Sequence, residues 1–184
     1  MRSAFVIAVV FYCAIGLRTA QADIIESTSF ENESVFSVQY TDTGNAGVDH
    51  DLTNNSGEPV VDSTGASDTA GDLGFDASYV NTRDSDGLTD GDFVGVTDYA
   101  TAVGSYTDGT QGYQMSDCDG MMVLTFDSVD LTGHTNCSVN LDLFVTDTGW
   151  ETSPLDSILV QVALTGATAI DLLDTASGAP DNDI

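Results

Sequence analysis

The chain has 184 residues, 30 of them carboxylates, with three arginines, two histidines, no lysine and a formal charge of −27. Nucleic-acid, phosphate-cradling and anionic-membrane roles need sets of Lys and Arg, and Schiff-base chemistry needs a lysine, so these functions are excluded. A hydrophobic content of 41% is enough for a core, which separates the chain from disordered acidic tails.

The first element is a leader. Arg2 precedes an apolar run from Ala4 to Leu17, and Ala20-Gln21-Ala22 supplies a small-x-small cleavage site before Asp23, the pattern of a secretory signal peptide. The run is about 14 residues, short of the roughly 20 that span a bilayer. Residues 1–22 are therefore expected to be removed, leaving 23–184 as a single secreted domain with no membrane insertion. Cleavage takes Arg2 and Arg18 away, so Arg83 alone faces 30 acids, a formal charge of −29. Aspartate outnumbers glutamate 25 to 5, an excess of the short carboxylate that suits turns and hard-cation sites. Repulsion on this scale has to be screened by salt or neutralised by bound cations.

The body predicts strands. Ile24–Phe30, Val35–Tyr40, Leu73–Val80, Phe93–Thr97 and Gly112–Ser116 are candidates, separated by Gly/Asp/Asn/Thr-rich connections. Asp117-Cys118-Asp119-Gly120 reads as a hairpin turn into the next strand, which carries Met122, Leu124 and Phe126 on one face. Cys137–Val145 alternates strictly, with Cys137, Val139, Leu141, Leu143 and Val145 on the apolar face, and Ile158–Leu164 repeats the period before Ala167–Leu173. No window carries a helical pattern. The prediction is an all-β, antiparallel, jelly-roll-like β-sandwich. The polar run 174–184 predicts either a sandwich missing its last strand or strands, or a frayed tail.

Two cysteines remain after cleavage, Cys118 and Cys137. Placed at opposite ends of successive antiparallel strands they lie too far apart for a disulfide, and Cys137 falls on the apolar face as a core residue. His50, His134 and these cysteines show no zinc spacing, and there is no nucleophile elbow. The densest acidic loop, Asp84-Ser85-Asp86-Gly87-Leu88-Thr89-Asp90-Gly91-Asp92, places Asp84, Asp86, Asp90 and Asp92 where their oxygens could converge on Ca²⁺; the same residues are also ordinary turn formers. Trp150, Tyr99, Tyr106 and Tyr113 are the candidate rings for stacking on a sugar, or else packing residues of a sandwich.

Several stretches carry a resemblance. Ser29-Phe30-Glu31, Tyr40-Thr41-Asp42-Thr43-Gly44, Asp49-His50-Asp51-Leu52, the run from Leu73 to Arg83, Gly87–Val96, Gly109–Gln114 and Met122–Leu131 resemble a β-sandwich module of large secreted proteins from marine and environmental bacteria. More distantly the chain is similar to carbohydrate-binding jelly rolls. That likeness implies that Glu31, in the Ser-Phe-Glu segment, would help to hold a structural calcium with an Asp of a last strand. The expected function is a non-catalytic extracellular binding or adhesion module, calcium-stabilised and directed at polysaccharide or cell-surface glycan. A secreted carboxylate-dependent hydrolase and a purely structural spacer are the alternatives.

Overall fold

The computed structural model describes residues 24–45, 47–65, 72–82, 88, 93–101, 104–116, 118, 120–144 and 157–175. Those residues form seven strands and no helix, so the chain is all-β as its patterning predicts. Strands β1 (His50–Asp51), β2 (Phe75–Val80) and β5 (Met121–Phe126) make one antiparallel sheet in the order β1-β2-β5. Strands β3 (Phe93–Thr97) and β4 (Gly112–Ser116) make a second, and β6 (Leu159–Val162) with β7 (Ile170–Asp174) a third. A jelly roll needs eight strands in two sheets. The described residues form three separate ladders, an all-β, antiparallel architecture.

Alternation decides which side chains face inward. In β2, Phe75, Ala77 and Tyr79 are buried while Asp76 is exposed. In β3, Val94 and Val96 are fully buried. Of these, Ala77, Tyr79 and Val94 close one core with Tyr40, Leu52, Val61 and Leu88, flanked by Tyr113 of β4 and Met122 and Leu124 of β5. Two sheets thus share a single apolar centre.

The segment 59–63 stitches them together. Val96 donates its N–H to the Val60 carbonyl at 2.9 Å, while Ser63 and Phe75 exchange both backbone hydrogen bonds. The ladder is mimicked on the far side by Asn54, whose Oδ1 accepts from Val61 N and Asp62 N while its Nδ2 donates to Asp62 O. Pro59 and Val61 are fully buried at this seam.

Four expectations are corrected. The strands on either side of Asp117–Gly120 do not form a hairpin with each other, because β4 pairs with β3 and β5 pairs with β2. The connection crosses between sheets, and the Tyr79 ring lies where a Cβ on Gly120 would sit. Ile24–Phe30 forms no strand beyond one parallel bridge from Ser27 to Asp72, because Phe30 turns out of extended backbone at φ +61°. Val35–Tyr40 also stays outside the ladders, with Phe36 and Val38 exposed. The described part of Cys137–Val145, residues 137–144, joins no ladder; Val139 is 63% and Leu141 50% exposed. Period two specifies a face, not a partner. Among the described residues no strand pairs with this segment.

Cys137 is accordingly exposed rather than core, and no disulfide joins it to Cys118, whose thiol donates to the Ser116 carbonyl. Among the described residues no helix is long and apolar enough to cross a membrane.

Candidate functional site

The loops at one end of the β3–β4 sheet gather aromatic, hydroxyl and carboxylate groups. Strand β3 delivers Tyr99 just past Thr97, whose hydroxyl accepts from Tyr99 N at 3.1 Å. Tyr106 reaches back to donate its hydroxyl to the Tyr99 carbonyl at 2.9 Å. Its ring lies across Gly112, at the start of β4, at a distance that leaves no room for a Cβ. The Tyr106 pKa is raised by burial and by the charge of Asp98, which keeps the hydroxyl protonated as a donor. Thr107 donates to Asp142 at 2.6 Å, tying the extended 137–144 segment to this end of the sheet.

Glu31 holds the next turn. Its Oε1 accepts from Thr110 N at 2.5 Å and Gln111 N at 2.7 Å, and its Oε2 from the Thr110 hydroxyl at 3.1 Å. Gly109, at φ +70°, admits the carboxylate because it has no Cβ to strike it. The carboxylate is brought there by Phe30, whose ring packs against Phe75 (5.3 Å between centroids), Tyr113 and Phe126.

N–H donors occupy the positions around Oε1 that a calcium ligand would turn towards its ion. The described residues also contain no set of three His, Cys, Asp or Glu side chains arranged around a common metal position. Through these hydrogen bonds Glu31 is a latch for the 109–111 turn.

The Glu31 pKa is lowered, first by the Thr110 backbone N–H and further by the Thr110 side chain and Gln111 N–H, against an opposing effect of burial. A depressed carboxylate pKa contributes stability that is present above its ordinary value of 4.5 and is lost as pH falls through the lowered one. Glu31→Gln is expected to speed amide hydrogen exchange at Thr110 and Gln111 at neutral pH. In the wild type the same protection fades in acid; equal exchange in both proteins at pH 7 would remove the latch.

The remaining candidates divide. Tyr99 is half exposed and Tyr106 partly so, and the fold brings them together. Tyr113 is turned inward instead, its ring edge-on to Phe75 at 5.6 Å and its hydroxyl directed at the Val61 carbonyl. Burial pushes its pKa far up. Asp84, Asp86, Asp90, Asp92 and Trp150 lie outside the described residues.

Two features had no visible sequence signal. One is Asp142 at the tyrosine end, contributed by a distant segment. The other is a group of carboxylates on the β2–β5 sheet. There the Asp62 pKa is raised, first by burial and then by the charges of Asp76 and Asp127. Their proximity follows from the β2–β5 register, which sets Asp76 against Thr125 two residues before Asp127, and from the 59–63 seam.

The class established is an acidic, antiparallel all-β protein with a tyrosine- and carboxylate-lined loop end. No protein-family model, curated protein or solved structure matches the chain.

Proposed function

We propose that the chain is a non-catalytic extracellular binding module that takes neutral polysaccharide at the Tyr99–Tyr106 end and is stabilised by cations, calcium foremost. The carrying observation is the half-exposed Tyr99, whose carbonyl accepts the Tyr106 hydroxyl, with Asp98 close enough to Tyr106 to raise its pKa and Asp142 bonded to Thr107 at the same end. Aromatic faces stack on the C–H face of a sugar while carboxylates take its hydroxyls. An anionic glycan would be repelled by the same acids. Secretion rests on the leader sequence. Cation support rests on the 30 carboxylates of the sequence and on Asp62, whose pKa is raised by burial and then by the charges of Asp76 and Asp127, with the 84–92 loop as the proposed calcium ligand set.

The test is calorimetric titration with a soluble β-glucan, a mannan and a xylan, in calcium, in EGTA, and in sodium chloride of matched ionic strength. One neutral polymer is expected to bind, and Tyr99→Ala to weaken it about tenfold, near 1.4 kcal/mol, without lowering Tm. No binding to any of the three leaves a structural spacer. Unchanged affinity in the Tyr99 variant removes the proposed site.

A second reading, a carboxylate-dependent hydrolase, is favoured by Asp62 alone, a raised carboxyl beside two others. It requires slow cleavage of a bound polymer that Asp62→Asn abolishes.

A further inference from the structure

His50 opens β1, and both of its ring nitrogens face acceptors. Nδ1 lies 2.6 Å from the Val48 carbonyl oxygen and Nε2 2.9 Å from Oδ1 of Asp42. A neutral imidazole has one N–H and one lone pair, so either tautomer would set a lone pair against one of these oxygens. Only the imidazolium donates to both.

Asp42 makes the matching demand. Its side chain is 1% exposed against 20% for His50. Oδ1 also accepts from Gly44 N at 2.8 Å, and Oδ2 has no hydrogen-bond partner among the described residues. A carboxylate enclosed to this degree requires a neighbouring positive charge. Among the described residues, the imidazolium is the positive charge paired with it.

The other groups facing the ring are few. Tyr79 of β2 lies 6.0 Å away, centroid to centroid, and its hydroxyl is unpartnered among the described residues. Asp51, the next residue of β1, adds a second carboxylate. Tyr40, the titratable group nearest Asp42 on its own segment, exchanges hydrogen bonds with Thr53 and also feels Glu58. Gly44 packs so closely that a Cβ there would overlap the His50 ring. No base among them competes for Asp42. Burial opposes a charge on His50, yet the Val48 carbonyl and the carboxylates of Asp42 and Asp51 outweigh it, and the pKa is raised above 6.5.

We propose that His50 is a proton-operated latch: as the imidazolium it fastens the 42–49 loop to β1 and β2, and deprotonation releases that loop. The loop reaches the end of β2 through Asn81, which donates its N–H to Asp49 Oδ1 and its side-chain amide to the Gly47 carbonyl, each at 2.9 Å. Release is therefore felt at Asn81 as well as at Gly44. A raised histidine pKa gives stability that is whole below the unfolded-state value and is lost as pH rises through the folded-state one. The latch opens on the alkaline side.

The experiment is long-range ¹H–¹⁵N NMR of the histidine rings of the purified protein, from about pH 5 to about pH 9, with the urea-unfolded chain as reference. His50 is expected to carry protons on both nitrogens at pH 7 and to titrate above the unfolded reference. Amide exchange at Gly44 and Asn81, corrected for intrinsic rate, should rise about tenfold across that titration. His50→Gln should erase the step, and Asp42→Asn should bring the His50 titration down. Should either variant fail to fold, the wild-type ring spectra and exchange profile decide alone. A single neutral tautomer at pH 7, or exchange that shows no step through the titration, overturns the latch.

Discussion

Replacing Tyr79 by alanine is expected to lower the stability of the protein by about 3–5 kcal/mol, while replacing it by phenylalanine costs nothing. Tyr79 is wholly buried at the centre of the β1-β2-β5 sheet, opposite His50 on one side and Met122 on the other. Its ring also covers Gly120, where the chain passes between sheets. Alanine there leaves a cavity shared by two sheets, with rigid backbone on several sides, and such sites collapse poorly. Against a total of about 5–15 kcal/mol for an ordinary domain, the loss leaves little margin. The hydroxyl has no hydrogen-bond partner among the described residues. Removing an unsatisfied buried hydroxyl relieves a desolvation cost, so Tyr79→Phe should be neutral or stabilising by up to about 1 kcal/mol. Urea unfolding followed by circular dichroism reads both variants. A phenylalanine variant that loses more than about 1 kcal/mol would mean that the hydroxyl is bonded.

Gly95→Val is expected to cost about 3 kcal/mol or more, from two independent sources. Gly95 sits in the middle of β3 at φ +121°, a conformation that side chains rarely adopt. A Cβ there would meet Pro59 Cβ at 2.7 Å and the Val60 carbonyl oxygen at 2.8 Å. That carbonyl accepts the Val96 N–H, so yielding to the new side chain would pull apart the seam joining the two sheets. Gly104 is the control. It has φ +82° and open space around its Cβ position, so Gly104→Ala should show the backbone cost alone, about 1–2 kcal/mol. Equal losses at the two positions in the same urea experiment would show that the seam is not tightly packed at Gly95.

Strand positions were largely legible. The boundaries of β3 and β4 follow directly from Phe93–Thr97 and Gly112–Ser116, and β2, β5, β6 and β7 fall within the apolar alternations that predict them, β7 running one residue further to Asp174. The two-residue β1 has no periodicity to detect. Pairing was less legible, because an Asp/Gly-rich turn reads locally as a hairpin whichever strands lie either side of it. Where the chain crosses at Gly120, it packs against the Tyr79 ring, a tertiary contact that local sequence does not display. The same limit applies to 137–144, where alternation identified a face but no strand among the described residues pairs with it.

At the site, residue type alone picks out Tyr99 and Tyr106, but not that Tyr113 turns into the Phe30–Phe75 cluster. Glu31 was legible as important and not in what it does. Its partners lie on a turn far along the chain, and only the fold shows that they are N–H donors. His50 was passed over because its pattern is acid-histidine-acid, with nothing to indicate that both nitrogens would meet oxygens.

The crossing at Gly120 also bears on how the molecule assembles. Strands β3 and β4 lie wholly within the stretch of chain that separates β2 from β5, so the outer pair encloses the inner one as a nested bracket. The inner hairpin closes over residues 98–111, a shorter stretch than residues 81–120, which the outer ladder has to close over. The outer ladder must wait for a long loop to shut around it, which is entropically slow. During that interval Phe75 and Tyr79 lack their β5 neighbours, and the half-built sheet depends on high net charge to keep one nascent chain away from the next. The acids that strain the finished fold thus also act on the chain before that ladder has closed.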